Sequence, residues 1–348
     1  MVVMIKPASG ACDMNCRYCF YRDTAELRDV NVGFMSLQTL QTVVREAVRY
    51  SPVQCDLIFQ GGEPTLVGLD FYRALIDIER DYPKTIFHHS VQTNGLNLDD
   101  EWAEFFAKHD FLVGLSLDGV KKTHDLYRVQ GKNGTFDRVG RAAEILRKHN
   151  VKFNILTVVT PEVAENITEI YTEYIKNGYL YQQYIPQLGT YGEKSQLTTE
   201  AFGNFLCTLF DLWIADFTAG KDVTIRYFDD LAQILAGLPA PTCGMCGECA
   251  PQYVVEADGG VYPCDFYVME KHRLGNIKDG FAALAKKRKA GELVCQSRNV
   301  PEKCIKCEFY TICKNGCLRE RNNNGINELC KGYQQFFAHA LPRLEQLI

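Results

Sequence analysis

The segment VVMIKPASGACDMNCRYCFY, residues 2–21, decides the interpretation of the whole chain. It begins with the short apolar run VVMIKPA (2–8), which is typical of a buried β-strand. Cys12, Cys16 and Cys19 follow at once in the spacing C-x3-C-x2-C. Three thiolates from one tight loop can hold three irons of a 4Fe–4S cube and leave the fourth iron open, whereas four thiolates saturate a cluster for electron transfer. A zinc site is the alternative, although such sites more often show paired C-x2-C knuckles or added histidines.

Outward from this loop, short β-rich runs alternate with amphipathic helical patterns up to about residue 190. This alternation predicts repeated βα units on a parallel sheet, and six units favour an α/β fold with a partial (β/α)6 barrel over a closed barrel of eight strands. The predicted strands are 2–8, 55–62, 86–93, 111–119, 152–160 and 180–187, and the predicted helices between them are 37–50, 69–80, 99–109, 138–149 and 163–178. A further helix at 198–218 and a short strand at 223–228 are predicted after them.

The composition changes at LAGLPAPTCGMCGEC, which is rich in Gly, Pro and Cys. We therefore predict a boundary at 235–242, with one domain over 1–235 and a cysteine-rich second domain over 236–348. The segment QYVVEADGGVYP predicts a β-hairpin with a D-G-G turn. The final segment GYQQFFAHALPRLEQLI predicts a closing helix. A segment with so few large apolar residues needs additional cross-links to be stable.

Fifteen cysteines are unusual in a chain that shows no export signal, since MVVMIKPASG falls short of a signal peptide. The cytoplasm is the expected location, and because disulfides are rare there, the cysteines indicate metal ligation. Cys55 and Cys207 lie apart from the clusters and are interpreted as small buried apolar residues. The net charge of −5 argues against a nucleic-acid partner, and no stretch is long and apolar enough to predict a membrane span.

The segment FQGGEPT (59–65) follows the second predicted strand. Two adjacent glycines allow close approach of the backbone to a ligand, and Pro64 after Glu63 fixes the turn. An ordinary turn at a strand end is the alternative. Together with the cysteine loop, this segment resembles the GGE motif of radical S-adenosylmethionine (SAM) enzymes. That resemblance implies that Gly62 and its neighbours receive the amino group of the SAM methionyl moiety.

Four further positions are candidates for binding SAM, each with a plain structural role as the alternative. Tyr18 precedes the third cysteine and could pack on adenine. Ser116 ends the fourth predicted strand, where its hydroxyl could reach the ribose or the carboxylate. Arg128 could pair bidentately with the SAM carboxylate. Leu188 lies just past the sixth strand and could contact adenine.

The C-terminal cysteines resemble the SPASM domain, a two-cluster extension of peptide-modifying radical SAM enzymes. The resemblance implies two fully ligated auxiliary 4Fe–4S clusters, suited to electron transfer. Cys246 and Cys295 are left over, and Cys246 departs from the pattern because it lies between two implied ligands. A pair of structural zinc sites is the alternative. The implied ligand sets are Cys243, Cys249, Cys264 and Cys317 for one cluster, and Cys304, Cys307, Cys313 and Cys330 for the other.

A narrower resemblance extends over most of the chain, from residue 5 to 277, and the cysteine pattern carries it to 330. The chain is similar to the anaerobic sulfatase-maturating enzymes in IKPASGACDMNCRYCFY, FQGGEPT, SVQTNG, FLVGLSLDG, KFNILTVVT, IRYFD, YPCDFYV and RLGNI. That family converts a Cys or Ser of an unfolded C/S-x-P/A-x-R segment of a sulfatase to Cα-formylglycine. The resemblance implies SAM and three 4Fe–4S clusters as cofactors, and a reducing partner such as flavodoxin or ferredoxin.

The resemblance also implies a reaction sequence. Reductive cleavage of SAM gives a 5′-deoxyadenosyl radical, which takes a Cβ hydrogen from the substrate, while an auxiliary cluster accepts the second electron. Asp265, directly after Cys264 in YPCDFYV, is the implied base for the thiol or hydroxyl proton. Without the resemblance, a turn-capping role for this aspartate would be favoured. Tyr21, Gln60 and Asp229 are candidates to line the substrate channel.

Two rival hypotheses remain open on the sequence. The first is a radical SAM modifier of ribosomally made peptides, which forms thioether or carbon–carbon crosslinks or epimerises residues. Such enzymes often carry an N-terminal peptide-recognition domain, and the cysteine loop here begins at Cys12. The second rival is an iron–sulfur electron carrier or a zinc-stapled scaffold, and neither of these needs the open-iron loop or the GGEP strand end.

Overall fold

The described residues up to 189 alternate between strands and helices, as the sequence predicts. The computed structural model describes residues 1–21, 32–189 and 195–346. The strands are β1 (Val2–Lys6), β2 (Gln54–Phe59), β3 (Ile86–Thr93), β4 (Leu112–Ser116), the short ribbon β5 (Val129–Gln130) and β6 (Asn133–Gly134), β7 (Phe153–Val159) and β8 (Tyr181–Pro186). The helices are α1 (Leu37–Tyr50), α2 (Leu69–Glu79), α3 (Asp100–Lys108), α4 (Lys121–Tyr127), α5 (Phe136–Lys148), α6 (Pro161–Glu165) and α7 (Ile167–Lys176).

The C-terminal part consists of two longer helices and many short elements. The helices are α8 (Thr199–Thr218), α9 (Arg226–Leu235), α10 (Phe281–Ala290), α11 (Glu292–Ser297), α12 (Glu302–Ile305), α13 (Tyr310–Cys313) and α14 (Cys330–Leu344). The strands are β9 (Thr224–Ile225), β10 (Tyr253–Glu256), β11 (Gly260–Tyr262) and β12 (Gly275–Asn276). No helix within the described ranges is both long and apolar enough to cross a membrane.

Two compact units make up the chain, and each is assembled from separate segments. The first contains Met1–Ser116, Arg128–Phe153 and Pro251–Gly291, and the second contains Leu117–Tyr127, Asn154–Ala250 and Glu292–Ile348. Each unit therefore draws residues from both sides of the predicted boundary at 235–242. That boundary separates two kinds of sequence, and it stays a prediction.

The sheet of the first unit has strand β1 near its middle. Its strands follow the order β12-β11-β10-β1-β2-β3-β4. Strand β1 pairs in parallel with β2 on one side and with β10 on the other, and β2, β3 and β4 continue in parallel. Because both neighbours of β1 are strands, Val3 and Ile5 are fully buried, which explains the continuous apolar run at the start of the chain. The predicted hairpin at residues 252–263 is formed by β10 and β11.

The second unit contains the parallel strands β7, β8 and β9 and the long helices α8 and α14. The two helices approach closely where Gly332 donates its backbone N–H to Thr199 Oγ1 at 2.9 Å. A Cβ atom on Gly332 would lie 2.4 Å from the Thr199 carbonyl oxygen, so no larger residue fits there. Phe210 and Phe336 pack edge to face between these helices, with ring centroids 6.0 Å apart.

Several helix starts follow the capping chemistry of the sequence. Ser36, Thr160 and Thr198 each accept a hydrogen bond from the backbone N–H three residues later and begin helices α1, α6 and α8. The single helix predicted at 163–178 is wrong in one respect, because Asn166 separates it into α6 and α7.

The predicted strand at 223–228 is also wrong over most of its length. Only Thr224–Ile225 is a strand, and helix α9 begins at Arg226. Phe228 and Leu231 lie three positions apart and are both fully buried, which is the spacing of one helical face. Phe228 stacks on Phe336 of α14 with a centroid distance of 5.7 Å, so packing against a helix overrides the β-rich composition.

Candidate active site

The cysteine loop of the first unit, residues 7–19, is fastened to the end of strand β2 by backbone hydrogen bonds. Gly62 donates its N–H to the Ser9 carbonyl oxygen at 2.8 Å, and Glu63 donates to the Ala11 carbonyl oxygen at 2.7 Å. Asn15 donates its N–H to the Val129 carbonyl oxygen at 2.7 Å, which joins the same loop to the ribbon β5–β6. The loop is therefore held at two ends by elements far away in the sequence.

Gly62 is required for the first of these contacts. A Cβ atom at this position would lie 1.9 Å from the Ala11 carbonyl oxygen, far inside the van der Waals distance. Gly61 has a φ of +128°, and its Cβ atom would lie 2.8 Å from the Ser9 carbonyl oxygen. The close backbone approach seen at the GGE segment is to the cysteine loop, and the predicted approach to a ligand stays a prediction.

The Glu63 side chain points into the protein. The residue is 1% exposed. It accepts hydrogen bonds from the Thr65 N–H at 3.1 Å, the Thr65 hydroxyl at 2.7 Å, the Thr93 hydroxyl at 2.8 Å and the Asn94 N–H at 2.7 Å. Burial raises the pKa of Glu63, and these hydrogen bonds lower it. Glu63 therefore braces the ends of β2 and β3, and a role of the glycine backbone in binding a ligand stays a prediction.

Asp13 and Asn94 extend this brace to the cysteines, and the sequence interpretation missed both. The Asn94 side-chain N–H donates to Asp13 Oδ1 at 2.8 Å and also lies 3.9 Å from Cys12 Sγ. Asn97 donates to Asp13 Oδ2 at 3.5 Å and to the Thr65 hydroxyl at 3.2 Å. The sequence signal was present, since SVQTNG ends a strand on the same edge of the sheet as the GGE segment.

The three N-terminal cysteines fit the predicted cluster in their chemistry. All fifteen cysteines lie in the described ranges, and none is in a disulfide bond. Cys12 is exposed, whereas Cys16 and Cys19 are half-buried, and the Cys19 N–H donates to the Cys16 carbonyl oxygen at 3.2 Å within one tight turn. The Met14 N–H lies 3.4 Å from Cys12 Sγ. Three thiols on one short loop, with one backbone N–H directed at the Cys12 sulfur, suit an iron–sulfur cluster.

Of the four candidate SAM contacts, the structure shows Arg128 beside Tyr18. Arg128 is 8% exposed, and its guanidinium carbon lies 5.6 Å from the centre of the Tyr18 ring. Ser116 is 7% exposed at the end of β4, where its hydroxyl accepts a hydrogen bond from the Gln92 side chain at 3.1 Å. Leu188 is half-buried in the second unit. Their contacts with SAM stay predictions.

Asp265 lies in a buried polar site of the first unit. The residue is 7% exposed. Oδ2 accepts hydrogen bonds from the Tyr21 hydroxyl and, at 2.8 Å, from the Gln60 side chain. The sequence suggested Tyr21 and Gln60 only as channel residues, and the structure shows that both orient this carboxylate. Within the described part of the chain, the buried Oδ1 atom has no hydrogen-bond partner. One carboxylate oxygen is therefore fixed and the other is available to accept a proton.

Lys6 supplies the positive charge at this site, and the sequence interpretation had assigned it no role. Its Nζ lies 3.2 Å from Glu256 Oε1, 3.9 Å from Asp265 Oδ1 and 4.0 Å from the centre of the Tyr21 ring. Lys6 and Glu256 are opposite one another in the β1–β10 pairing and are both buried. Burial raises the pKa of Asp265 and the Glu256 charge raises it further, whereas Lys6 and the hydrogen bonds from Tyr21 and Gln60 lower it.

Four of the C-terminal cysteines converge in the second unit. Burial, the largest cause, and the neighbouring thiols raise the pKa of Cys313 to about 11. Thiolates at such a site need a bound cation to offset their charge, which fits a metal cluster. In the described ranges, no three Cys, His, Asp or Glu side chains are grouped as ligands of one metal ion. One cavity is lined by all four thiols and by aromatic side chains, namely Cys304, Cys307, Cys313, Cys330, Phe309, Tyr310, Tyr333 and Phe337.

The other implied ligand set draws on both units and stays a prediction. Cys243 Sγ accepts a hydrogen bond from the Ala250 N–H at 3.3 Å, and Cys249 donates its N–H to the Ser297 hydroxyl at 3.0 Å. Cys317 lies near Gly244, where an added Cβ would be 3.6 Å from the Cys317 N atom. Cys264 is buried in the first unit.

The leftover thiols have different surroundings. Cys246 is exposed, and its thiol faces the Thr242 and Ala240 carbonyl oxygens at 3.4 and 3.6 Å. Cys295 is exposed. The interpretation of Cys55 as a buried apolar residue is confirmed, whereas Cys207 is only half-buried.

Comparison with known proteins identifies the class first. Residues 7–173 match the radical SAM superfamily, and residues 243–308 match the SPASM iron–sulfur cluster-binding domain. The chain is thus a radical SAM enzyme with a SPASM domain, and SAM and iron–sulfur clusters are the cofactors of this class. The predicted α/β fold of the radical SAM type is confirmed.

The family within that class follows from longer matches. A cysteine-type anaerobic sulfatase-maturating enzyme of Clostridium perfringens is 41% identical over 98% of this chain and 96% of its own length. A serine-type enzyme of Bacteroides thetaiotaomicron is 30% identical over 99% of this chain and 90% of its own length. The structure of native anSMEcpe with bound AdoMet and the Cp18Cys peptide covers 99% of this chain and 98% of its own, with 39% identity and a TM-score of 0.93. The chain belongs to the anaerobic sulfatase-maturating enzymes.

Proposed function

We propose that this enzyme oxidises a cysteine side chain of a sulfatase to Cα-formylglycine. The cysteine preference is supported by the identity of 41% to a cysteine-type enzyme against 30% to a serine-type enzyme. The single structural observation that supports the chemistry best is Asp265, a buried carboxylate with one oxygen held by Tyr21 and Gln60. A base positioned in this way can take the substrate thiol proton, provided that the thiol comes within hydrogen-bonding distance.

The cofactors are held by separate groups of residues in this proposal. Cys12, Cys16 and Cys19 hold the first 4Fe–4S cluster, and the Gly62 backbone with Tyr18, Ser116, Arg128 and Leu188 binds SAM. When bound, the cluster and SAM together supply the 5′-deoxyadenosyl radical that removes a hydrogen atom from the substrate Cβ. The eight C-terminal cysteines Cys243, Cys249, Cys264, Cys317, Cys304, Cys307, Cys313 and Cys330 would hold two further clusters, one of which would accept the second electron.

The side chains around Asp265 determine the orientation of its carboxylate and favour its ionised form. Gln60 and Tyr21 both donate to Oδ2, so the carboxylate cannot rotate without losing two hydrogen bonds. Lys6, at 3.9 Å, favours the ionised form that a base requires. Burial of the site keeps bulk water away, and water would otherwise compete for the proton.

The partners in this proposal are an unfolded C-x-P/A-x-R segment of a sulfatase and a reducing protein such as flavodoxin or ferredoxin. An extended segment presents a single side chain to a buried base, which a folded sulfatase surface could not do. The proposal includes no nucleic-acid partner, in keeping with the net charge of −5. Asp229, half-buried in the second unit, is a candidate to contact the segment.

The experiment is anaerobic incubation of the reconstituted enzyme with matched Cys- and Ser-type peptides, read by mass spectrometry. Formylglycine from both peptides, formed faster from the Cys peptide, is expected. A thioether or carbon–carbon crosslink would instead identify a peptide modifier of another kind. Absence of 5′-deoxyadenosine release after reduction would show that the chain is not a radical SAM catalyst.

The variant Asp265→Asn tests the base. It keeps the side-chain size and an oxygen for the Gln60 hydrogen bond, but it cannot take a proton. We expect 5′-deoxyadenosine to form at near the wild-type rate, while formylglycine falls by about 10²-fold or more. Full formylglycine production by this variant would refute the assignment of Asp265.

A further inference from the structure

Asn94 places a hydrogen-bond donor beside one of the cluster cysteines. Its side-chain nitrogen lies 3.9 Å from Cys12 Sγ, within the range of an N–H···S hydrogen bond. The same nitrogen also donates to Asp13 Oδ1 at 2.8 Å. Only one other N–H contacts this sulfur in the described part of the chain, and it belongs to the Met14 backbone, at 3.4 Å.

The orientation of the Asn94 carboxamide is fixed by its neighbours. Its Oδ1 accepts the Leu96 N–H at 2.8 Å, so a rotation of the amide by 180° would leave that donor facing an NH2 group. Its own backbone N–H is held by Glu63 Oε2 at 2.7 Å. Asn94 is 7% exposed, so little water can replace these bonds. The donor therefore faces Cys12 in a preorganised way.

A hydrogen bond to a cluster sulfur changes the balance between the cluster's two redox states. Reduction adds negative charge that spreads onto the sulfurs, and an N–H donor stabilises the more negative state. Such a donor makes the reduction potential less negative. The carboxylate of Asp13 would have the opposite effect, but Asn94 and Asn97 each donate to one of its oxygens.

We propose that Asn94 is a positioning residue for the first cluster, and that its N–H···S hydrogen bond to Cys12 raises the cluster's reduction potential. This inference rests on the proposed function, because it requires a cluster on Cys12, Cys16 and Cys19. Glu63 then has a second role, because its carboxylate holds the backbone N–H of Asn94, and the Asn94 side chain contacts Cys12 Sγ.

The test is a potentiometric titration of the reconstituted enzyme followed by electron paramagnetic resonance. The signal of the first cluster is recognised by its change when SAM is added. In Asn94→Ala the reduced-to-oxidised ratio at a fixed potential should fall by about three- to tenfold, where tenfold equals about 59 mV for one electron. Asn94→Asp keeps the side-chain volume and the bond to Leu96, but it loses the donor and adds a negative charge. Its ratio should fall further.

Asn97→Ala is the matched control, because Asn97 also contacts Asp13 but makes no contact with Cys12. The reduced-to-oxidised ratio of the first cluster in Asn97→Ala should change less than about twofold. Equal shifts in the Asn94 and Asn97 variants, or no shift in Asn94→Asp, would overturn the inference. Loss of the cluster from both Asn94 variants, with Asn97→Ala intact, would overturn it too, since Asn94 would then be only a structural anchor. A wild-type protein without a SAM-responsive signal would instead refute the proposed function itself.

Discussion

Replacement of Gly62 by alanine should separate the cysteine loop from the GGE segment. The added Cβ atom would lie 1.9 Å from the Ala11 carbonyl oxygen, whereas nonbonded carbon and oxygen atoms need more than 3 Å. The clashing atom belongs to the backbone, so no side-chain rotation can relieve the overlap. The loop must therefore move by more than 1 Å, and a misplacement of about 1 Å is enough to disturb the geometry of an active site.

The energetic cost can be worked from the contacts that such a movement breaks. The hydrogen bonds from Gly62 to Ser9 at 2.8 Å and from Glu63 to Ala11 at 2.7 Å are both lost or lengthened. Each contributes about 0.5–1.5 kcal/mol net. Overpacking in a closely fitted site adds about 1–3 kcal/mol. We expect the free energy of unfolding to fall by about 2–6 kcal/mol.

The assay compares Gly62→Ala with Gly140→Ala. Gly140 lies inside helix α5, where an added Cβ atom meets no atom within 4 Å. The same chemical change should stabilise the protein there by about 0.8–1 kcal/mol, because alanine is the better helix former. Denaturant midpoints, iron content and 5′-deoxyadenosine release should all fall only in Gly62→Ala. Wild-type stability and SAM cleavage in Gly62→Ala would refute the reasoning.

Three further changes test other parts of the structure. Lys6→Met leaves its buried carboxylate partner without a cation and should lower the free energy of unfolding by about 3–5 kcal/mol. Lys148→Met removes an exposed ion pair and should lower it by less than about 1 kcal/mol. Urea unfolding measures both losses, and equal losses would show that the buried pair is unimportant. Cys307→Ala should remove about four of about twelve irons per chain and Cys295→Ala none, and equal iron contents would contradict the cluster assignment. Burial raises the pKa of Asp229 from 3.8 to about 6, so the native state should lose stability as the pH rises from about 4 to about 6. Asp229→Asn should remove this contribution to the pH dependence of stability. If the unfolding midpoints of the variant and the wild type are the same at every pH between about 4 and 7, the assignment to Asp229 is wrong.

The local elements were predictable because their signals are local. Helix α1 was predicted at 37–50 and is found at Leu37–Tyr50, since Ser36 caps it and its apolar residues follow one face. The six strands of the βα units were likewise predictable from short apolar runs. The strand predicted at 223–228 failed because its aromatic and β-branched residues serve a helix that packs on α14.

The cysteine sets and Asp265 could be proposed from spacing and family resemblance, but the polar surroundings of the site could not. Gln60 and Asp265 are 205 positions apart in the sequence, and Tyr21 and Asp265 are 244 apart. No periodicity connects such positions, so their hydrogen bonds appear only once the strands are paired. The Asn94 contact with Cys12 was missed although SVQTNG ends a strand at the same edge of the sheet, because an N-G pair after a strand is typical of an ordinary turn.

The pairing of strand β10 with strand β1 has a consequence for how the protein is made. During synthesis, strand β1 emerges first but lacks one of its two neighbours until residues 253–256 have been added. For that interval its edge presents unsatisfied backbone groups, which is a known hazard for aggregation. A nascent chain that is stalled before residue 253 should therefore be recognised by chaperones more strongly than one stalled after residue 262.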